Sequence, residues 1–405
     1  MLFSFNSFSS ILLIFFIHGL VYAILLFRKG MVNETASDKW LSLFLLLCIL
    51  YICPWMTGFA GWYDTQPYRD FLFYTPFQHL YLIGPVIYFY VQSLFNPSFR
   101  FGKKDWIHLL PGILYLLFSA AMFITDKLVL NDYYFLANGA DPDFDTWYQL
   151  SGFVSMIIYF FLSLRYYQLY RKLMMQVISY ADHVLFRWVR NFLVAFLVML
   201  ILRLLFFVLG ELMDYAYKGF WWYFLFFGIS FYYIAITGYA NSIETKVPFR
   251  PGGPAYPGTV LLLPATNGQP ETITEEAELI SVEPVLKKEP DEYLAGWKEK
   301  VLEQMNLHKA YEDPELSLAS LARELKTNPA LISRTINQGF EQNFNDFVNQ
   351  FRINAVKEML ENGEHKRQTL LGIAFDCGFN SKATFNRAFK KATGQSPKEW
   401  LEQNG

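Results

Sequence analysis

The sequence predicts an all-α protein in two parts: a seven-helix transmembrane bundle, followed by a soluble, all-helical domain with two helix-turn-helix units. Three observations predict this, beginning with composition: the 405 residues are 53% hydrophobic and 19% aromatic, more than is usual for a soluble protein. Charged residues are sparse up to about Tyr239 and dense after it. Apolar residues recur at helical spacing on both sides of that boundary. We therefore expect a transmembrane domain over 1–241, a linker over 242–292 and a soluble domain over 293–405.

Seven apolar segments precede residue 242. Each is long enough to cross a hydrocarbon core of about 30 Å as a helix that rises about 1.5 Å per residue. Aromatic residues such as Trp106, Trp147 and Trp188 recur at segment ends, as membrane interfaces favour. A run of buried soluble helices is the alternative, and the scarcity of polar residues in all seven segments disfavours it. The expected spans are Phe8–Phe27, Trp40–Thr57, Leu72–Phe95, Trp106–Thr125, Trp147–Tyr167, Trp188–Gly210 and Phe220–Tyr239.

The basic residues of the connecting loops predict the orientation of this bundle. Cytoplasmic loops of membrane proteins carry an excess of Lys and Arg. Alternate loops here are rich in these residues, whereas the intervening loops carry only Arg69, Lys127 and Lys218. We therefore expect the N-terminus outside and the soluble domain in the cytoplasm. The basic loops contain Arg28, Lys29, Lys39, Arg100, Lys103, Lys104, Arg171, Lys172, Arg187 and Arg190.

Polar side chains inside the apolar segments are candidates for an intramembrane sensor. Arg203 is the most costly of them, since an arginine at the centre of a spanning helix costs about 2.5–3.5 kcal/mol on insertion scales. Two roles are open for Arg203: a ligand or counter-ion site inside the bundle, or a structural partner for Glu211 or a backbone carbonyl. His18 and His79 are further sensor candidates, although a structural role is the commoner one for such histidines.

Two features should shape the bundle. Pro85 removes a helical hydrogen bond, so it predicts a kink in the third segment. The longest outer loop, from Asp126 to Thr146, is rich in aspartate, which is compatible with a divalent-cation site or, more commonly, a solvated loop. Its aspartates are Asp126, Asp132, Asp141, Asp143 and Asp145.

Residues 242–292 are rich in Pro, Gly and Glu, as in RPGGPAYPG and PETITEEAE. Such a composition cannot build a core, so we expect a disordered linker. A flexible chain of about 50 residues spans roughly 40 Å. It would tether the last domain without fixing its orientation.

The final domain contains two helical hairpins, each typical of a helix-turn-helix. In the first, Asn328 and Pro329 suit the cap and first position of a helix, with Ile332 and Ile336 facing inward. A long amphipathic helix, Asn345 to Leu360, should join the two hairpins. The outward positions of the first hairpin are Ala330, Ser333, Arg334 and Asn337.

In the second hairpin, Gly378 should end the first helix, and Asn380 or Ser381 should cap the next. Phe385 and Phe389 should face the core. The opposite face is predicted to carry Lys382, Thr384, Arg387 and Lys391. Between residues 366 and 398 lie seven basic residues and one acidic residue, which favours docking on a nucleic acid over a merely solvated helix face.

Residues 317–400 resemble the DNA-binding domain of the AraC family of bacterial transcription regulators. The resemblance is carried by NPALISRTIN, by NFNDFVNQFRINAVKEML and, above all, by IAFDCGFNSKATFNRAFKKATGQSP. It implies a seven-helix domain whose two recognition helices enter successive major grooves on one face of DNA. Trp400 and Leu401 replace the family's usual Tyr-Arg, a difference expected to affect packing. The layout is similar to membrane-anchored regulators of this family.

The resemblance also implies which residues contact DNA. Asn328 and Asn380 open the recognition helices, where backbone N–H groups can hold phosphates. Ala330 and Ala383 are small, so they could make only apolar base contacts, for example with a thymine methyl group. The remaining implied base-reading positions are Ser333 and Arg334 in the first unit and Lys382, Thr384 and Arg387 in the second.

Together these features favour a one-component transcription regulator in the inner, cytoplasmic membrane, with the bundle as sensor or anchor. A transporter or an enzyme-like bundle regulated by a DNA-binding tail is the alternative, and an anchor that docks a partner membrane protein is a third. Against an enzyme, the sequence has no nucleotide loop, nucleophile motif or metal-ligand spacing, and Cys48, Cys53 and Cys377 suit neither disulfides nor zinc. We therefore expect no catalytic residue, metal or cofactor. Expected partners are double-stranded promoter DNA, membrane lipid, RNA polymerase, a small-molecule or membrane-protein signal, and a second copy in a homodimer.

Overall fold

A computed structural model describes residues 4, 6–96, 99–179, 185–213, 217–240, 249–250, 259–262, 278–281 and 291–404. The chain divides into two compact units. One contains Met1–Tyr167 and Trp188–Glu244, and the other contains Gln168–Arg187 and Thr245–Gly405. The described parts of both units are mainly helical, as the sequence predicts.

The first unit is a bundle of apolar helices. Six helices in the described part of the chain are long and apolar enough to cross a membrane by length and composition. A seventh apolar helix, α4, has only 16 residues. The helices are α1 (Ser7–Val32), α2 (Ala36–Phe59), α3 (Tyr68–Tyr74), α4 (Leu80–Phe95), α5 (Trp106–Phe123), α6 (Thr146–Val177), α7 (Leu185–Met213) and α8 (Trp221–Ala240). A π-helical stretch, Ile124–Leu130, continues α5, and the last turns of α6 and the first turn of α7 belong to the second unit.

The third predicted segment, Leu72–Phe95, is wrong as a single helix. The chain forms α3, runs without helix over 75–79 and then forms α4. The carboxylate of Asp143 accepts hydrogen bonds from the N–H groups of Phe77 and Gln78, at 2.8 and 2.9 Å, so these groups are held outside any helix. The break therefore lies ahead of Pro85, and α4 continues through that proline.

Three of the five aspartates of the outer loop are structural rather than solvated, whereas Asp132 is exposed and Asp145 is half-buried. Asp126, Asp141 and Asp143 are all buried. Tyr74 donates its hydroxyl to Asp126 at 2.9 Å, and Tyr115 donates its hydroxyl to Asp143 at 2.7 Å. Burial, reinforced by the neighbouring charge of Asp143, raises the pKa of Asp141 to about 8. Among the described residues, no group of three or more His, Cys, Asp or Glu side chains could hold a metal ion.

The second unit contains three short strands ahead of its C-terminal helices. They form an antiparallel sheet in the order β1–β2–β3, with Val260 opposite Ile280. The strands are β1 (Phe249–Arg250), β2 (Thr259–Leu262) and β3 (Glu278–Ser281), all within the expected linker. The rest of 242–290 lies outside the described residues, so its disorder stays a prediction.

The helices that follow give the order expected for two helix-turn-helix units with a connecting helix. α12 occupies Phe344–Glu361, within one residue of the predicted Asn345–Leu360 at each end. The helices are α9 (Asp291–Asn306), α10 (Leu318–Glu324), α11 (Pro329–Gly339), α12, α13 (Leu370–Asp376), α14 (Lys382–Thr393) and α15 (Pro397–Asn404).

Candidate nucleic-acid interface

The first helix-turn-helix unit consists of α10 and α11. The side chain of Ser317 accepts the N–H of Ser320 at the start of α10, and that of Asn328 accepts the N–H of Leu331 at 2.8 Å at the start of α11. Pro329 takes the first helical position, where a missing N–H costs nothing. The predicted start of α11 is therefore confirmed, including its cap.

The second unit consists of α13, a tight turn and α14. Gly378 adopts φ +87° in the turn, a conformation that favours glycine. Ser381 caps α14 by accepting the N–H of Thr384 at 3.1 Å. Of the two caps that the sequence offered, the structure uses Ser381, and Asn380 lies exposed in the turn before it.

A compact apolar core holds α14 in place. Phe385 and Phe389 are buried in it, as predicted, with ring centroids 5.6 Å apart. Trp400 and Phe389 form an edge-to-face pair whose ring centroids lie 5.9 Å apart. The tryptophan that replaces the usual tyrosine of the resembled family therefore contributes to the packing of this core. The core residues are Ile353, Val356, Leu360, Ile373, Ala374, Cys377, Phe379, Phe385 and Phe389.

Most of the DNA-contact candidates reach the surface. Ala330 and Arg334 are half-buried on α11. Desolvation and the positive charge of Arg171, in the last turns of α6, lower the pKa of the Arg387 guanidinium. The exposed candidates are Asn328, Asn380, Lys382, Ala383, Arg387 and Lys391.

Two candidates point inward instead. Thr384 is 2% exposed, and its Oγ1 accepts a hydrogen bond from the Ser381 hydroxyl at 3.0 Å. Ser333 is 9% exposed, and its Oγ accepts the side-chain amide of Asn337 at 3.3 Å. The predicted outward orientation of both is wrong because the buried stripe of a helix is wider than the i, i+4 positions alone.

Lys391 has a local partner on the connecting helix. Its ammonium group lies 2.6 Å from a carboxylate oxygen of Asp346 in α12. Asn343, the cap of α12, donates its side-chain amide to the same carboxylate oxygen at 2.8 Å. Lys391 therefore links α14 to α12, in addition to the DNA contact predicted for it.

Asn386 is an exposed residue of α14 that the sequence analysis missed. It lies three residues after Ala383 and four after Lys382, so all three lie on one face of the helix. An asparagine side chain can make a bidentate contact with adenine in the major groove. The spacing from Lys382 was the signal in the sequence that could have identified it.

Arg352 on α12 is a second residue that the sequence analysis missed. It is 1% exposed, and its Nε donates to the carbonyl of Tyr311 at 2.8 Å. One terminal nitrogen donates to the carbonyl of Asp313 at 2.7 Å and to the hydroxyl of Ser179 at 3.1 Å. Burial lowers the pKa of Arg352 to about 10. The guanidinium thus joins α12, the helix between the two helix-turn-helix units, to the chain that leads into α10.

The segment that follows α6 is also part of this second unit. Ser179 donates its N–H to the carbonyl of Leu316 at 3.2 Å, and Ile178 pairs with Ser317 as an antiparallel bridge. Asn345 donates its side-chain amide to the carbonyl of Ser179 at 2.8 Å. Residues far upstream in the sequence therefore help to hold the starts of α10 and α12.

The three intramembrane sensor candidates have different surroundings in the first unit. Arg203 lines a cavity of about 450 Å³. The ring of His18 stacks on that of Tyr232, with the ring centroids 3.9 Å apart, and His79 lies directly before α4. Neither histidine lines the cavity. The side chain of Glu211, an expected partner of Arg203, lies outside the described residues. The structure thus brings Arg203 alone to a site large enough for a ligand.

Comparison with known proteins agrees with the geometry of the C-terminal units. A family model described as a helix-turn-helix domain matches residues 321–403. Residues 321–403 are a helix-turn-helix domain. The match supports the resemblance to AraC-family regulators that the sequence motifs carry.

The match extends from the first helix of the first unit to α15, so it includes both α11 and α14. No curated protein matches the chain. A solved structure, a protein of unknown function from Listeria innocua, is 26% identical over 27% of this chain and 97% of its own, with a TM-score of 0.24.

Proposed function

We propose that this protein is a membrane-embedded, one-component transcription regulator that binds promoter DNA through its two helix-turn-helix units. The observation that carries the proposal is the helix-turn-helix match over 321–403, with α11 and α14 each capped and presenting polar residues outward. Lys382, Asn386 and Arg387 on α14 supply the donors that read guanine and adenine edges. The bundle is the sensor or the anchor of the regulator.

The outer surface of the apolar bundle supports a membrane location. Large apolar side chains point away from its core: Ile107 is 69% exposed, Leu117 61% and Phe161 60%. Soluble proteins rarely expose extended apolar surfaces of this kind. Lipid chains would cover these side chains without loss of hydrogen bonds, because the helices satisfy their own backbone groups.

Replacing Arg387 with alanine tests DNA reading. We expect the binding free energy of the full-length R387A variant, for a duplex that the wild-type protein recognises, to weaken by about 1–3 kcal/mol. The variant should also relax its preference at one base pair. The physical reason is the loss of a guanidinium fork that can pair with guanine. Affinity and base preference are measured by titration of a duplex and its single-base variants at fixed salt.

Lys398→Ala is the matched control, because it removes an exposed basic residue from α15, outside the two hairpins. It should change affinity much less, without a change in base preference. Equal binding of all duplexes by the wild type and by R387A would refute sequence reading by α14.

Reporter fusions test the proposed orientation in the inner membrane. One fusion follows Lys104, in an exposed turn on the predicted cytoplasmic side, and the other follows Asn138, in the exposed part of the predicted outer loop. We expect a reporter that is active only in the periplasm to work at Asn138 and to fail at Lys104. The opposite pattern would invert the orientation and place the DNA-binding units outside the cytoplasm.

A further inference from the structure

The cavity beside Arg203 is apolar apart from a few convergent polar groups. Its volume of about 450 Å³ lies within the range typical of small-molecule sites, roughly 300–1,000 Å³. The walls come mainly from α2, α6, α7 and α8, and most of the lining side chains are aromatic or aliphatic. Examples are Trp55, Phe153, Leu204, Phe207 and Phe224. Such walls suit a hydrocarbon chain or a ring.

The polar contacts of Arg203 are with neutral groups. One terminal nitrogen donates to the Tyr51 hydroxyl at 2.9 Å, and the other donates to the side-chain oxygen of Gln149 at 2.6 Å. The guanidinium also lies 5.8 Å from the ring centroid of Phe153. The residues described around the cavity include no carboxylate. A full positive charge thus borders an apolar cavity without a counter-ion among them, which is a costly arrangement.

We propose that this cavity binds an amphiphile with one anionic head group, a carboxylate or a phosphate monoester, and an acyl chain. Arg203 pairs with the head group, because a guanidinium presents two parallel donors to such an oxyanion. Tyr51 and Gln149 hold the guanidinium in place, and the apolar walls enclose the chain. The inference deepens the proposed function, on which it rests, by naming the class of signal that the bundle receives.

The lining residues share one end of the bundle. Most of them lie at the end of α2, at the starts of α6 and α8, and in the second half of α7, all of which the proposed orientation places towards the outside. Gln149 also donates to the side-chain oxygen of Gln78 at 2.7 Å and to the carbonyl of Asp143. The head-group site is therefore tied by hydrogen bonds to the buried outer loop, and an amphiphile of the outer leaflet or the periplasm can reach it.

Three probes applied to the full-length protein in a non-ionic detergent test the proposal. Palmitate carries a free carboxylate, lysophosphatidate carries a phosphate monoester, and methyl palmitate has the chain without the charge. Equilibrium binding is measured with labelled probes. We expect at least one of the two anions to bind roughly thirtyfold or more tightly than methyl palmitate, as for a desolvated charge pair. The preferred anion distinguishes a free fatty acid from a lipid head group.

Variants of Arg203 locate the site. R203Q should weaken binding of the preferred anion by a similar factor, whereas R203K, which keeps the charge but loses the paired donors, should fall between R203Q and the wild type. Arg190→Gln removes an exposed arginine near the other end of α7 and should leave binding unchanged. Circular dichroism verifies that each variant is folded. If R203Q does not fold, the preference of the wild type for the anion over the ester still decides the question.

Equal binding of palmitate, lysophosphatidate and methyl palmitate, or no binding of either anion, would overturn the proposal. Anion binding that R203Q leaves intact would do the same. These results are independent of DNA binding. A chain that reads DNA but binds neither anion refutes the cavity inference alone, and a chain that binds the anion but ignores DNA refutes the proposed function.

Discussion

Replacing Gly378 with alanine is expected to unfold the second helix-turn-helix unit. Gly378 has φ +87°, which costs an L-residue about 1–2 kcal/mol. A Cβ at this position would also lie 2.2 Å from the carbonyl oxygen of Tyr311 and 2.9 Å from backbone atoms of Glu312. Backbone atoms cannot rotate away as a side chain can. We therefore expect a total loss of about 3 kcal/mol or more of unfolding free energy in this unit.

Gly363→Ala is the matched control. Gly363 also has positive φ, +79°, but no heavy atom lies within 4 Å of the Cβ that alanine would add. The Gly363→Ala variant should lose only the part of the unfolding free energy that comes from the positive φ, about 1–2 kcal/mol. Denaturant-dependent proteolysis of the C-terminal domain in the full-length protein gives both values, and DNA affinity reports the consequence. Equal stability losses in the two variants would show that the turn does not approach Tyr311 as described.

Replacing Arg352 with leucine should be the next most damaging change. The buried guanidinium donates to the carbonyls of Tyr311 and Asp313 and to the hydroxyl of Ser179. Leucine leaves these carbonyls without their donor, and hydrogen bonds to charged groups contribute about 1.5–3 kcal/mol each. We expect a loss of about 2–4 kcal/mol in the unfolding free energy of the second unit. The stability of the Arg352→Lys variant should fall between that of the wild type and that of Arg352→Leu, because one ammonium group does not reproduce the planar fork of donors.

An exposed arginine provides the comparison for this substitution. Arg323 lies on the surface of α10, so Arg323→Leu should change stability by no more than about 0.5 kcal/mol. Both variants are measured by the same proteolysis assay, at low and high salt. The cost of Arg352→Leu should be nearly independent of salt, because buried charges are weakly screened. Similar costs in the two variants would refute the buried role of Arg352.

Local sequence signals were sufficient for much of the fold. The apolar runs located the long helices of the bundle, and Asn328 with Pro329 located the start of α11 because a cap is set by neighbouring residues. Their spacing alone places Phe385 and Phe389 in the core, where the structure has them. These features depend on residues within one or two turns of each other.

Contacts between residues distant in sequence account for what the sequence analysis missed. The break before α4 depends on Asp143, more than sixty residues beyond Phe77 and Gln78. Arg352 donates a hydrogen bond to a carbonyl 41 residues upstream, a contact that the local sequence does not reveal. A lone arginine in an amphipathic helix therefore gives no sign that it is buried. The inward orientation of Thr384 follows from how closely α14 packs, which periodicity alone does not specify.

The most direct test of the central claim is genome-wide mapping of the DNA bound in living cells by the full-length protein. We expect a discrete set of promoter sites that share two short motifs about one helical turn apart, one for each reading helix. R387A should lower the enrichment of these sites and relax their motif at one base pair, while the protein stays in the membrane fraction. Recovery of no enriched sites, or of DNA without a shared motif, would contradict the account of a membrane-embedded protein that reads DNA sequence.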